Sequence, residues 1–472
     1  MDWVTCAHSA ACTGIARRPY NLCLAHLPPD QLAVTIGEMA PGRLLDLRGT
    51  VIGGDLLSRL IEATGARPGR ARLDRVRFSG DVRLSGVTFA GDVSLDGAVF
   101  ERLASFFGAR FEGNLSLADT RFARELSMHG VTVRGHVSLD RAVMARDALF
   151  SLASFGRGLS CERARFDGYA TFDGARLGDG ATFRGARFGR TLSFRKVVGS
   201  AGFDAAHFAA NAYLSATGRL SAARARSDAS LDVSVTGCGV DLRRVDVAGT
   251  TTLRLTGSHA DLEGAVLRGP ATVTGRGGAA LTSLRNVDAR SLALYGLDLS
   301  ACRFAGLAHP AGVRLKDCRF ALTARGVRVS MRRPMLRWFS RRSVLADERA
   351  LRGGSRLDES GSGGSPGRGT EPRDAADPPA GWLATLYAEL GRRADDRGLS
   401  LDFAFAATEM RRLAGHRRWG ASSWPLLTAG VRVGRAAGWI VLLASIAAGA
   451  MLLSTAQHAV PSAPHQPPAV HH

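Results

Sequence analysis

Cys6, Cys12, Cys23 and His26 stand in the opening segment, residues 1–28, as Cys-x5-Cys-x10-Cys-x2-His. Three thiolates and an imidazole suit a closed tetrahedral zinc site. Metal binding of that kind folds a segment too short to have its own core. Gly14, two residues after Cys12, is placed to supply a knuckle turn, and His8 is a spare ligand. The spacing is not that of a standard finger, and no base-reading helix follows, so the reading is a structural zinc knuckle. The bland alternative is three free thiols and a surface histidine.

No other residues form a chemical constellation. His-Glu-x-x-His is absent, as are a nucleophile elbow and a dinucleotide loop in the right strand-to-helix setting. Gly-Lys-Ser/Thr is absent too, and the two lysines, Lys196 and Lys316, follow no glycine, which excludes a phosphate loop. His129, His136, His207 and His259 are scattered, as outward solvated residues would be. The chain reads as a non-enzyme with no catalytic residue and no small-molecule cofactor.

What must carry the opening segment is a repeat. From Leu73 to Phe194 large apolar residues recur at alternating steps of five and six: Leu73, Phe78, Leu84, Phe89, Leu95, Phe100 and onward through Phe166, Phe172, Leu177, Phe183, Phe188 and Phe194. A period of 11 is neither helix nor plain strand and marks a solenoid. Two residues before each large residue sits a small or aliphatic one, such as Val82, Ala98 or Ala164. Two residues after it glycine is frequent, as at Gly80, Gly97 and Gly113, which suits a tight corner because glycine tolerates positive φ. Two units give a coil of 22 residues with four faces. Phe78, Phe100, Phe122, Met144, Phe166 and Phe188 should then form one interior column, with coils about 4.8 Å apart.

This pattern resembles the pentapeptide-repeat family, whose unit is roughly Ala-(Asp/Asn)-Leu-x-x. Ala260-Asp261-Leu262-Glu263-Gly264 and Ala265-Val266-Leu267-Arg268-Gly269 carry the likeness. The resemblance implies a mainly β fold, a right-handed quadrilateral β-helix, over more than half the chain. The departure is one extra residue in every second unit (Asp81, Asp92, Asn114), which suggests a bulged corner. Some members mimic DNA through acidic surfaces and bind topoisomerases. Residues 71–320 hold 34 Lys and Arg against 24 Asp and Glu, a net charge of +10, which has the wrong sign for that role.

The remaining organisation follows from composition. Residues 29–70 read as an N-terminal helical cap, with Asp30 capping a first helix and Asp55–Ala63 forming an amphipathic second. The β-helix is expected over 71–324, with corner loops or a bend near 197–235 and an irregular, serine-rich stretch at Leu220–Val240. Residues 325–346, rich in arginine with Trp338 and Phe339, read as a basic C-terminal cap or a membrane-surface segment. Residues 347–380 read as a disordered linker, and 381–435 as juxtamembrane helices. There, Leu386-Tyr387-Ala388-Glu389-Leu390 and Glu409-Met410-Arg411-Arg412 resemble the juxtamembrane region of actinobacterial pentapeptide-repeat membrane proteins. Residues 436–456 carry no charge and have the length of a transmembrane helix, with arginines only before it. The tail, 457–472, is expected to be disordered. The opening residues have no apolar signal region.

The function so expected is a membrane-tethered scaffold, single-pass, with its solenoid on the cytoplasmic side and a protein partner on the solenoid surface. The alternative is a basic module contacting anionic lipid or nucleic acid. Gly449 with Ala444, Ala447 and Ala448 allows a homo-oligomer through the membrane helix.

Overall fold

A computed structural model describes residues 3–323, 326–330, 335–339, 341–357, 378–415 and 445. From residue 45 onward the chain winds as a solenoid of parallel ladders. Three of its faces are 12-stranded sheets and the fourth is five-stranded. In chain order, the first face starts at Leu45–Asp46, the second at Val51–Ile52, the third at Val82–Arg83 and the fourth at Thr88–Phe89.

The sequence explains each two-residue strand. On the first face Val93 and Leu95 point inward and are buried, while Ser94 between them faces out. On the second face Ala98 and Phe100 do the same around Val99. A small and a large side chain thus enter the axis from every face. Phe78, Phe100, Phe122, Met144, Phe166 and Phe188 are successive register partners, as their spacing requires. Rings 22 residues apart stack, with centroids 4.6 Å apart for Phe78–Phe100 and 4.7 Å for Phe100–Phe122. Each fully buried phenylalanine contributes about 1.5–3 kcal/mol, so the axis itself is the main source of stability.

The recurring glycines serve two purposes. At one kind of corner, Ala98 donates to the Leu95 carbonyl (2.9 Å) across a four-residue turn whose third residue, Gly97, has φ +66°. Gly113 stands at the other kind, and its φ is not positive. A Cβ there would lie 2.7 Å from the Asp92 nitrogen of the coil before, so the need is clearance. The extra residues at these corners tie coils together: Asp92 Oδ1 accepts from the Asn114 N–H (2.8 Å), and Asn114 Oδ1 from the His136 N–H (2.9 Å). A second ladder runs beside the first face, where Asp140 Oδ1 accepts from Ser160 Oγ and the Glu162 N–H.

Beyond Phe194 the cross-section changes. The fourth face ends at Arg176–Leu177, and the third widens into strands of five or six residues such as Leu192–Val197 and Leu231–Thr236. Register partners stand 22 residues apart at Phe166–Phe188 but 20 apart at Phe188–Phe208. The cause is local patterning. Leu231, Val233 and Val235 are buried and alternate with Asp232 and Ser234, so two short faces fuse into one flat strand. Of the loops or bend expected near 197–235 the fold shows one register shift, between Phe194 and Val197; the ladders run on through it, and Leu220–Val240 is a regular coil.

Both ends are covered. Helix α1 spans Pro29–Gly37 and α2 spans Gly54–Ala63. The α1 N-cap is Pro28, with Asp30 in the first turn instead of at the cap. Leu57, Leu60 and Ile61 of α2 close the axis where the third and fourth faces have not yet begun. The ladder already starts inside the expected cap, since Leu45 pairs with Ala71 and Val51 with Arg77.

At the far end, helix α3 (Ala346–Leu357) occupies the start of the expected linker. Helices α4 (Ala380–Arg393) and α5 (Arg397–Ala414) form a hairpin seated on the last rung. Ala394 bridges Leu315, and Phe403 packs edge-on against Phe320 and Tyr387. The helices expected beside a membrane thus cap the solenoid. Gly326–Ser330 and Met335–Phe339 form an antiparallel hairpin in the expected basic segment, and Arg342 at its end is buried.

The expected fold class needs one correction. No helix among the described residues is long and apolar enough to cross a membrane. The stretch expected to do so, 436–456, lies outside the described residues except for Ser445. Among the described residues the fold is a mainly β solenoid with small α caps and no transmembrane helix.

Candidate metal centre

Short antiparallel contacts shape the opening segment. Thr5 bridges Ile15 and Arg17 bridges Leu22, while a 3-10 turn at Leu24–His26 sets Cys23 and His26 on one side. Cys6 N–H donates to the Gly14 carbonyl (2.8 Å) and His26 N–H to the Cys23 carbonyl (2.9 Å). Gly14 is required for space and not for a turn: a Cβ would sit 2.8 Å from that of Cys23.

The four residues named by the sequence come together. The Nδ1 of His26 lies 3.5 Å from Cys6 Sγ, 3.5 Å from Cys12 Sγ and 3.3 Å from Cys23 Sγ, and the Cys12 and Cys23 sulfurs are 3.9 Å apart. All four ligand atoms fall within 4.8 Å of one another. With bonds of about 2.3 Å to sulfur and 2.0–2.1 Å to nitrogen, a tetrahedral zinc site has edges of about 3.8 Å (S–S) and 3.5 Å (S–N). The observed edges fit such an ion. His8 stands outside the ligand set, stacked on His26 at 3.9 Å between centroids.

The electrostatics fit the same reading. Burial, then the neighbouring Cys12 and Cys6, push the Cys23 thiol up to about 12. Burial also raises Cys6, but N–H donors from Cys23 and His8 outweigh it and hold that thiol below its ordinary value. Burial, then His8, lowers His26, leaving a neutral imidazole as a ligand. Three sulfurs this close cannot all ionise unaided, and a divalent cation removes the conflict.

The cluster is anchored to the first coil. Ile15 N–H donates to the Arg48 carbonyl (2.8 Å), Thr13 Oγ1 to the Gly49 carbonyl (2.7 Å) and Arg17 to the Asp46 carbonyl (2.9 Å). Trp3 lies under the Arg48 guanidinium, 5.0 Å from its ring centroid. Leu24 and Leu27 join the core. The segment therefore covers the edge of the ladder that begins at Leu45, an edge which would otherwise expose unpaired backbone.

The profile described as pentapeptide repeats (nine copies) matches residues 84–132. The solenoid is a pentapeptide-repeat domain. No curated protein matches the chain. The matched coils lie wholly inside the pentapeptide-repeat ladder, so the family says nothing about the Cys6–His26 cluster.

Sequence reasoning missed a second polar cluster, in the C-terminal cap. Arg342 and Glu348 are buried and paired, Tyr387 Oη donates to Glu348 (2.6 Å), and Glu409 meets Arg342 (3.3 Å) and Arg352 (3.1 Å). Its only sequence signal was that Tyr387 and Glu409 fall in the two motifs quoted for residues 381–435. Of the scattered histidines, His129 stacks on the exposed ring of Phe107 and His207 pairs with Asp228.

Proposed function

We propose that this pentapeptide-repeat protein is a non-enzymatic scaffold that binds a protein partner on its solenoid surface, and that Cys6, Cys12, Cys23 and His26 hold a structural zinc ion. The filled axis carries the reading. The best-defined cavity among the described residues is about 10 Å³, apolar, and lined by residues such as Leu57, Phe78 and Phe100. That is room for about one water and no substrate. What the coils do offer is a long, rigid outer surface with side chains in register. When bound, zinc supplies no reaction at a closed four-ligand site; it fixes the covering segment over the first coil.

Photo-crosslinking from single outward positions of the full chain in its host tests the scaffold. Discrete adducts from one face support it. Absence of adducts from all four faces contradicts it.

A further inference from the structure

The second face breaks its own rule at one place. Its outward column, in register order, begins Val51, Arg77, Val99, Arg121, Val143. A valine separates each arginine from the next, as expected where like charges directly opposite are destabilising. The column then reads Arg165, Arg187, His207, Arg226 without a spacer, before turning to Asp246, Val266 and Asp288.

The carboxylates near this run are bracketing residues. Asp167 pairs with Arg165, and Asp228 pairs with both Arg226 and His207. On the two coils between them the equivalent positions are Gly189 and Ala209, so Arg187 has no acid beside it. Arg184 and Arg190 flank it on the same coil. All three are exposed, and none forms an ion pair among the described residues. Beneath them Phe166, Phe188 and Phe208 stack, which makes the platform stiff.

A cost in stability without local compensation marks a functional position. The geometry points to this patch as the docking surface for an acidic, carboxylate-bearing protein segment, an assignment that rests on the scaffold reading above. The run covers three coil steps of about 4.8 Å, or about 14 Å. It ends against Val143 on one side and Asp246 on the other. A nucleic-acid backbone wants an extended basic track, and this run stops where Asp246, paired with Arg268, and then Val266 and Asp288 take over the column. A bounded patch followed by acid fits a protein surface of complementary sign pattern.

The test uses the full chain and a fluorescein-labelled peptide of alternating glutamate and glycine, beside an oligo-dT strand and phosphatidylserine vesicles. The triple variant Arg184→Ser, Arg187→Ser, Arg190→Ser is compared with Arg110→Ser, Arg157→Ser, Arg176→Ser, which removes the same charge elsewhere. The inference expects peptide affinity to fall at least tenfold in the first and less than twofold in the second. It also expects the first variant to melt no lower than the wild type. Equal losses in both triples, tighter binding of oligo-dT or vesicles than of peptide, no binding of peptide by the wild type, or a lower melting point for the first variant would each overturn it. None of these outcomes touches the scaffold reading, which the crosslinking scan decides separately.

Discussion

Tyr387 Oη donates a 2.6 Å hydrogen bond to Glu348 and accepts the Leu345 N–H at 2.8 Å, joining helix α4 to the start of α3 inside the C-terminal cap. Burial, then the Glu348 charge, holds the phenol well above its ordinary range, so it remains a donor. Tyr387→Phe keeps the ring against Phe403 but leaves a buried N–H and a buried carboxylate short of a partner. The expected loss is about 1–3 kcal/mol, read by urea denaturation. A loss below about 0.5 kcal/mol would show that the hydroxyl does not tie the cap together.

The same cluster gives a pH dependence. Burial raises the Glu409 carboxyl, but Arg352 and Arg342 outweigh it and hold it below the usual carboxylate range. A folded pKa below the unfolded value gives stability that is present above about pH 4.3 and lost as pH falls through the folded pKa. The buried Asp347 carboxyl is shifted the opposite way, upward by burial, despite N–H donors from Phe304 and Ala305. The informative quantity is therefore the difference between wild type and Glu409→Gln. That difference should be largest near neutrality and shrink on acidification below about pH 4.3. A constant gap would contradict the assignment.

The two kinds of corner glycine should respond differently to a methyl group. At Gly97 an added Cβ meets only Arg75 Cγ at 3.5 Å, so Gly97→Ala costs the left-handed conformation alone, about 1–2 kcal/mol. At Gly113 it meets the backbone nitrogen of Asp92, and two coils must part. Gly113→Ala should be the more destabilising in paired thermal melts, and the reverse order would refute the clearance argument.

These contrasts show what could be read before folding. The Phe78–Phe188 column was legible because each coil repeats its inward residues at a fixed spacing, and packing permits no other register. The Cys6–His26 cluster was legible because its ligands lie in one short segment. The change from four faces to three was hidden: the alternation of Leu231, Val233 and Val235 was present, but the 11-residue rhythm obscured it. The C-terminal cluster was unreadable, since Arg342, Glu348, Tyr387 and Glu409 come from separate stretches and meet only when α4 and α5 settle on the last rung. The two motifs quoted for residues 381–435 resemble a juxtamembrane region; in the fold Tyr387 and Phe403 pack on each other, and Phe403 packs on Phe320 of the last rung.

Zinc at the opening segment is the claim on which the closed N-terminal end depends. Native mass spectrometry of the full chain measures it directly. We predict a compact charge-state distribution with the mass of a single bound zinc, lost in Cys23→Ser together with protection of residues 3–27 from protease. A compact chain that carries no metal, or a Cys23→Ser variant that keeps both metal and protection, would contradict it.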